Sequence, residues 1–183
     1  MEKETSFYKT SIAVREYLDR NKDLVETIDK TSKIHPDLLM GCKNSGLYGM
    51  SVPKKYGGAE LFFTEIGRWE QYTTHTVQFD VFRYYEELGD SPALTEILAA
   101  NESLGVSSLL AAGSQEIKER YLGQVARGEA EVAWCLAEAR AASDPGAVLA
   151  EAVDRGDHWE LSGTKTWVTN AQKAQVTNRR LSQ

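Results

Sequence analysis

The chain has 183 residues, 42% hydrophobic and 26% charged, with a formal net charge of −6. That is enough apolar material for one full domain, or one domain and part of another, which excludes a disordered tail. The acidic balance excludes a surface built to neutralise nucleic-acid phosphates, and no apolar run approaches the length that spans a bilayer.

Phe7, Val14, Tyr17, Leu18, Leu24, Val25 and Ile28 recur at three- and four-residue steps and predict one amphipathic helix with a solvated charged face. His35-Pro36 opens a short helix with proline at its first position, and Ser45-Gly46 closes it. Leu47 to Gly58 reads as a loop punctuated by Gly49, Pro53, Gly57 and Gly58. From Thr64 to Leu88 a helical pattern is interrupted by the β-branched Thr73, Thr74, Thr76 and Val77, and the aromatic residues of 79–85 follow. Ser91-Pro92 caps the next helix, inside which Gly105 marks close packing. Gly113-Ser114 ends that helix and caps another, Gln115 to Arg127, which stops at Gly128.

At Val132 the period changes. Val132, Trp134 and Leu136 alternate as in a half-buried strand. Trp159 and Leu161 form a second short run, with Trp159 expected in the core. Ser162-Gly163 offers a turn, and Thr166 to Thr169 is a third run rich in β-branched and aromatic residues. Strands joined this way predict a small antiparallel sheet. The fold class is therefore α+β: an N-terminal all-helical bundle (1–131), the start of an antiparallel β-domain (132–174) and an unstructured polar tail (175–183). The small residues from Ala139 to Ala147 would let a ligand approach the backbone. Glu138 and Asp144 read as ordinary loop carboxylates.

Cys42 and Cys135 lie far apart and read as reduced thiols. His35, His75 and His158 lack partners at metal-ligand spacing, so no metal is expected. The two acids in Met1-Glu2-Lys3-Glu4 are unlike an Arg-rich mitochondrial presequence.

Four blocks of the sequence carry a resemblance. They are Gly46-Leu47-Tyr48-Gly49 with Val52-Pro53-Lys54-Lys55-Tyr56-Gly57-Gly58; Gly113-Ser114-Gln115-Glu116-Ile117-Lys118-Glu119-Arg120-Tyr121-Leu122; Trp134-Cys135-Leu136-Ala137-Glu138 with Ser143-Asp144; and Ser162-Gly163-Thr164-Lys165-Thr166-Trp167-Val168-Thr169-Asn170. In this order they resemble the acyl-CoA dehydrogenases, with the very-long-chain, mitochondrial branch nearest. The resemblance implies FAD as cofactor and oxidation of an acyl-CoA, as in fatty acid β-oxidation, to the trans-2-enoyl-CoA. It implies electron-transfer flavoprotein as partner, a mitochondrial location, and a homodimer or homotetramer in the full-length family. By position, Trp134, Cys135, Leu136, Ala137 and Ser143 would border the flavin and its phosphates. Trp167, Val168 and Thr169 would lie against the isoalloxazine ring, and Ser143 would also meet the CoA part of the substrate.

The chain departs from the family at Ala137, where a flavin-bonding threonine hydroxyl is usual. It departs again at Ala139, usually proline, and at Arg140 and Ala142, usually small or glycine. A positive φ at Arg140 or Ala142 would cost on the order of 1 kcal/mol, while Arg140 could instead pair with a phosphate. The family's catalytic carboxylate belongs to a C-terminal bundle that the resemblance does not reach here, so no residue of this chain is expected to be catalytic. The expectation is an N-terminal portion of a dehydrogenase; the alternative is a non-catalytic interaction module derived from that family.

Overall fold

The computed structural model of the protein describes residues 12–60, 88, 89, 91–142 and 144–179. The awkward region before Leu88, with the aromatic segment 79–85, lies outside the described residues, as do His75 and Ser143.

The first apolar stripe forms two helices, not one. Helix α1 (residues 12–20) gives way at Asn21 to α2 (Lys22–Thr31). The Asn21 side chain donates to the Tyr17 carbonyl at 2.8 Å while Asn21 itself caps α2. This is the local side-chain-to-backbone bonding that makes asparagine a helix boundary. Helix α3 (Pro36–Asn44) starts where expected, with His35 Nδ1 accepting from the Asp37 amide at 3.2 Å. It ends at Ser45, followed by Gly46 at φ 74°.

Helices α4 (Pro92–Ala99) and α5 (Ser107–Ala112) are joined without a break by a π-helical segment, Ala100–Val106. Five residues of that segment are buried: Ala100, Asn101, Glu102, Gly105 and Val106. Helix α6 (Gln115–Ala126) is capped by Ser114, whose Oγ accepts from the Ile117 amide at 3.3 Å. It stops before Gly128, at φ 66°.

Two apolar cores hold these helices. One collects Val14, Ile28, Leu38, Leu47, Met50, Leu94 and Leu98; the other collects Val52, Val106, Leu109, Leu122, Val125 and Val132. Each fully buried aliphatic side chain contributes roughly 1.5–3 kcal/mol relative to exposure, so these cores outweigh any single cap. The second core continues into the β region, because Val132 belongs to it and Val176 packs against it.

Strand β1 (Val132–Cys135) forms where the alternation begins, but its partner is unexpected. It pairs in parallel with β4 (Val176–Arg179), from Val132 opposite Val176 to Cys135 opposite Arg179. Residues 176–179 are therefore not an unstructured tail. Strand β2 (Glu151–Asp154) pairs antiparallel with β3 (Trp159–Ser162) around Gly156 at φ 93°. Partners directly opposite share a face, so Ala152, Leu161 and Trp159 lie on one side of this hairpin. Trp159 is 64% exposed there, not a core residue. Thr166 to Thr169 is not a strand: Trp167 adopts φ 56°, which breaks the extended run.

Candidate functional site

The site is built outward from the π-helical segment. Asn101 Oδ1 accepts the Val132 amide at 2.8 Å, so the first residue of β1 is fixed by a side chain of the helix behind it. Asn101 Nδ2 donates to Glu102 Oε1 at 2.9 Å. Glu102 is 1% exposed and accepts three further bonds: the Gly49 amide at 2.8 Å on Oε1, and the Ser51 amide at 2.9 Å and hydroxyl at 2.6 Å on Oε2. Burial pushes the Glu102 carboxyl up from its ordinary value, and the converging donors pull it back. One buried carboxylate thus ties the Gly49–Val52 loop to the helix, and the neighbouring amide ties the helix to β1.

Past β1 a second polar node forms. Lys165 Nζ donates to the Leu136 carbonyl at 3.1 Å and to Glu138 Oε1 at 2.8 Å. Glu138 also accepts the Leu149 amide at 2.8 Å and the Ala150 amide at 2.9 Å. The Thr166 amide donates to the Ala137 carbonyl at 3.0 Å. Glu138 therefore closes the loop of small residues at both ends and is buried, not an ordinary loop carboxylate. Within that loop Ala141 is buried against Val148 and Ala150, and Asp144 accepts the Gly146 amide at 2.9 Å. Neither Arg140 nor Ala142 has a positive φ, so their Cβ atoms carry no backbone cost.

The hydrogen bond from Lys165, then those from the two amides, holds the Glu138 carboxyl at about 2, below its ordinary 4.5. A carboxyl whose folded pKa is depressed stabilises the fold above its unfolded pKa and loses that contribution as pH falls through the folded value. The thermal midpoints of wild type and Glu138→Gln are therefore expected to differ at pH 7. The gap should close between about pH 4.5 and pH 2. A gap that stays constant across this window would show that the ion pair does not hold the loop.

A cleft of about 510 Å³ lies beside this node, lined among others by Cys135, Ala150, Leu161, Lys165, Trp167, Val168 and Thr177. Trp167 is 93% exposed. A bulky side chain at positive φ is a backbone outlier of the kind that clusters at ligand sites. The turn that carries it is held to α4 by Thr169 Oγ1, donating to Glu96 Oε1 at 3.3 Å, and by Asn170 Nδ2, donating to the Ile97 carbonyl at 3.3 Å.

Of the residues singled out in the sequence, Cys135, Trp167 and Val168 line this one cleft. Leu136 and Ala137 adjoin it through their backbone bonds to Lys165 and Thr166. Trp134 alternates with Cys135 along β1 and is not among the lining residues, and Thr169 turns to α4. Asn101, Glu102 and the Glu138–Lys165 pair were not anticipated in these roles. A signal for Glu102 does exist: it is the one charged residue between Glu96 and Glu116, in an otherwise uncharged run. Among the described residues no group of side chains could hold a metal ion, and no helix is long and apolar enough to cross a membrane.

A family described as acyl-CoA dehydrogenase, N-terminal domain, matches residues 9–129. The very long-chain specific acyl-CoA dehydrogenase, mitochondrial, of Rattus norvegicus is 30% identical over 178 residues, which is 96% of this chain and 25% of that protein. A 3-(aryl)acrylate reductase of Clostridium sporogenes is 32% identical over 148 residues, 81% of this chain and 36% of that protein. Among solved structures, a glutaryl-CoA dehydrogenase from Mycobacterium smegmatis in complex with FADH2 is similar at a TM-score of 0.78 and 25% identity, covering 94% of this chain and 41% of that one. The chain thus spans between a quarter and about two fifths of the length of these relatives.

Proposed function

We propose, from the premise that this chain belongs to the acyl-CoA dehydrogenase family, that it carries the helical domain and the first part of the flavin pocket of an FAD-dependent acyl-CoA dehydrogenase. The observation that supports the pocket is the convergence of Cys135, Trp167 and Val168 on one cleft. Its volume of about 510 Å³ suits a small-molecule or cofactor site. The residues present fit a flavin: Trp167 offers a flat apolar wall already exposed, and the small residues Ala150, Gly163 and Ala171 leave room beside it.

When bound, FAD supplies the acceptor for the hydride leaving the acyl β-carbon. The chain's own residues would orient and enclose it. Trp167 and Val168 would flank the ring, and the loop from Leu136 to Ser143 would pass its backbone close to the phosphates. Ser143 would also meet the CoA moiety. Ala137 contributes no hydroxyl, which removes one hydrogen bond, worth about 1 kcal/mol or roughly fivefold in affinity. No carboxylate of the chain is assigned the role of proton acceptor.

A mitochondrial location draws support from the mammalian relatives so named, while the bacterial relatives carry no such address. Electron-transfer flavoprotein as redox partner draws support from a chain of 26% identity and TM-score 0.76, from work on the electron transferring flavoprotein of Acidaminococcus fermentans.

FAD added to the purified chain is expected to lose fluorescence as it binds. With an acyl-CoA and an electron acceptor also present, no enoyl-CoA should form. Turnover would overturn the assignment of proton acceptance outside these residues; FAD that stays fully fluorescent would overturn the pocket. A second reading, an interaction module of the same descent, is favoured by the exposed Trp159 and Leu161 on one face of the β2–β3 hairpin. A colourless, monodisperse protein that takes up no flavin would support it.

A further inference from the structure

We infer that Lys165 is a ligand-contacting residue of the cleft: its ammonium keeps one N–H for an acceptor atom of the bound cofactor's ring. The inference rests on the reading above, in which a flavin occupies the cleft that Lys165 lines. An ammonium has three protons to donate and accepts none. Two go to the Leu136 carbonyl at 3.1 Å and to Glu138 Oε1 at 2.8 Å. Among the described residues Lys165 Nζ has no third partner. Neither Leu136 nor Glu138 lines the cleft, and the third proton of a tetrahedral nitrogen points away from the other two. The Lys165 side chain is only 9% exposed, so little bulk water reaches it. A nearly buried cation with an unused proton, at the wall of a cleft of about 510 Å³, is a donor set for a ligand.

The charge balance selects the ligand atom. Glu138 sits 2.8 Å from the ammonium and also takes the Leu149 and Ala150 amides. A phosphate at the third proton would bring a second anion close to that carboxylate. A ring carbonyl or ring nitrogen is neutral and meets no such repulsion. Trp167, two residues on, lines the same cleft and offers the flat face against which a ring would lie. A cation at the ring's edge also distinguishes redox states. Reduction adds electrons to the ring, so the ammonium holds the reduced form more tightly than the oxidised one.

The test titrates FAD and riboflavin, which share the ring but not the pyrophosphate. The full 183-residue chain, Glu138→Gln, Lys165→Met and the double variant are compared by quenching of flavin fluorescence. The double variant buries no unpaired charge, so it carries the comparison even if Lys165→Met alone does not fold. Relative to Glu138→Gln, the double variant is expected to bind both flavins roughly tenfold more weakly or worse, as a hydrogen bond from a charged donor is lost. The reduction potential of its bound FAD should also fall. A Lys165 that only clamps the loop would weaken both redox states alike and leave the potential unchanged, which overturns the inference. So does a loss confined to FAD, which would put the third proton on the pyrophosphate and not on the ring. Uptake that ignores Lys165 overturns this inference and leaves the pocket standing; no uptake of FAD by the wild-type chain overturns both.

Discussion

Replacing Glu102 with glutamine is expected to lower the stability of the chain by about 1–3 kcal/mol, and with alanine by more. The reason lies in the direction of the hydrogen bonds. Gly49, Asn101 and Ser51 all donate to Glu102, the first two to Oε1 and the amide and hydroxyl of Ser51 to Oε2. A glutamine keeps one acceptor oxygen and puts an NH2 group where two donors converge. With the NH2 on the Ser51 side the Ser51 amide loses its partner, at roughly 1–3 kcal/mol, while the Ser51 hydroxyl can turn to accept from the NH2 and donate to the Glu102 carbonyl. Alanine strands all the donors and leaves a cavity as well. Urea unfolding midpoints measure both losses.

The same variant decides which of two opposed effects prevails at Glu102. Burial favours the neutral acid, and the converging donors favour the carboxylate. If the acid is neutral at pH 7, glutamine should substitute for it nearly without loss. A large loss means that the donors prevail. The pH dependence gives an independent reading. A carboxyl whose folded pKa is raised contributes stability below its unfolded pKa and loses it as pH rises through the folded value. Wild type should then lose stability across that interval while Glu102→Gln, which has no proton to release there, should not.

Local chemistry was legible along most of the helical half. Proline at the start of α3 and the Ser114 cap of α6 are short-range signals, and each sits where the residue types placed it. Asn21 was the local signal that the amphipathic stripe concealed, because the apolar spacing continues across a break made by a side-chain bond to Tyr17. What could not be read depends on pairing at a distance. Val176 and Thr177 are β-branched and suit a strand, but they stand in a polar tail where nothing local names their partner. They become β4 because β1 offers an edge and Val132 an apolar neighbour for Val176. Thr166 to Thr169 has the opposite history. Its β-branched and aromatic residues suit a strand, but Asn170 bonds back to α4 and the amides of Lys173 and Ala174 bond the Asn170 carbonyl, so the run curls into a turn. Tertiary bonds overrode propensity there.

The same contrast applies to the site. Cys135, Trp167 and Val168 were identifiable from motif order, and they share a cleft. The side chains that hold the cleft's walls in place were not. Glu138 and Lys165 are 27 residues apart, and nothing in either segment announces the pairing. Motif order marks residues that face a ligand; the buried partners that aim them emerge only when the chain is folded.

Gly105 packs directly against Val132 of the pocket-bearing strand, and Gly105→Ala is expected to cost about 2 kcal/mol. A Cβ placed there would lie 2.7 Å from the Val132 carbonyl oxygen and 2.8 Å from the Val132 Cβ. The first of these is backbone, so no rotamer change relieves it. Alanine would gain up to about 1 kcal/mol of intrinsic helix propensity over glycine, which offsets only part of an overpacking penalty of roughly 1–3 kcal/mol. Gly105→Val should cost more, because its added methyl groups must also find room. The strand must move for either variant to fold, and the Val132 amide is bonded to Asn101 in the same helical segment. A shift of β1 would therefore loosen that bond and carry Cys135 away from the cleft. The expected signature is a lower unfolding midpoint together with faster exchange of the Val132 amide proton. An unchanged midpoint with that amide still protected would mean that the helix and β1 are not in the close contact from which the pocket is built.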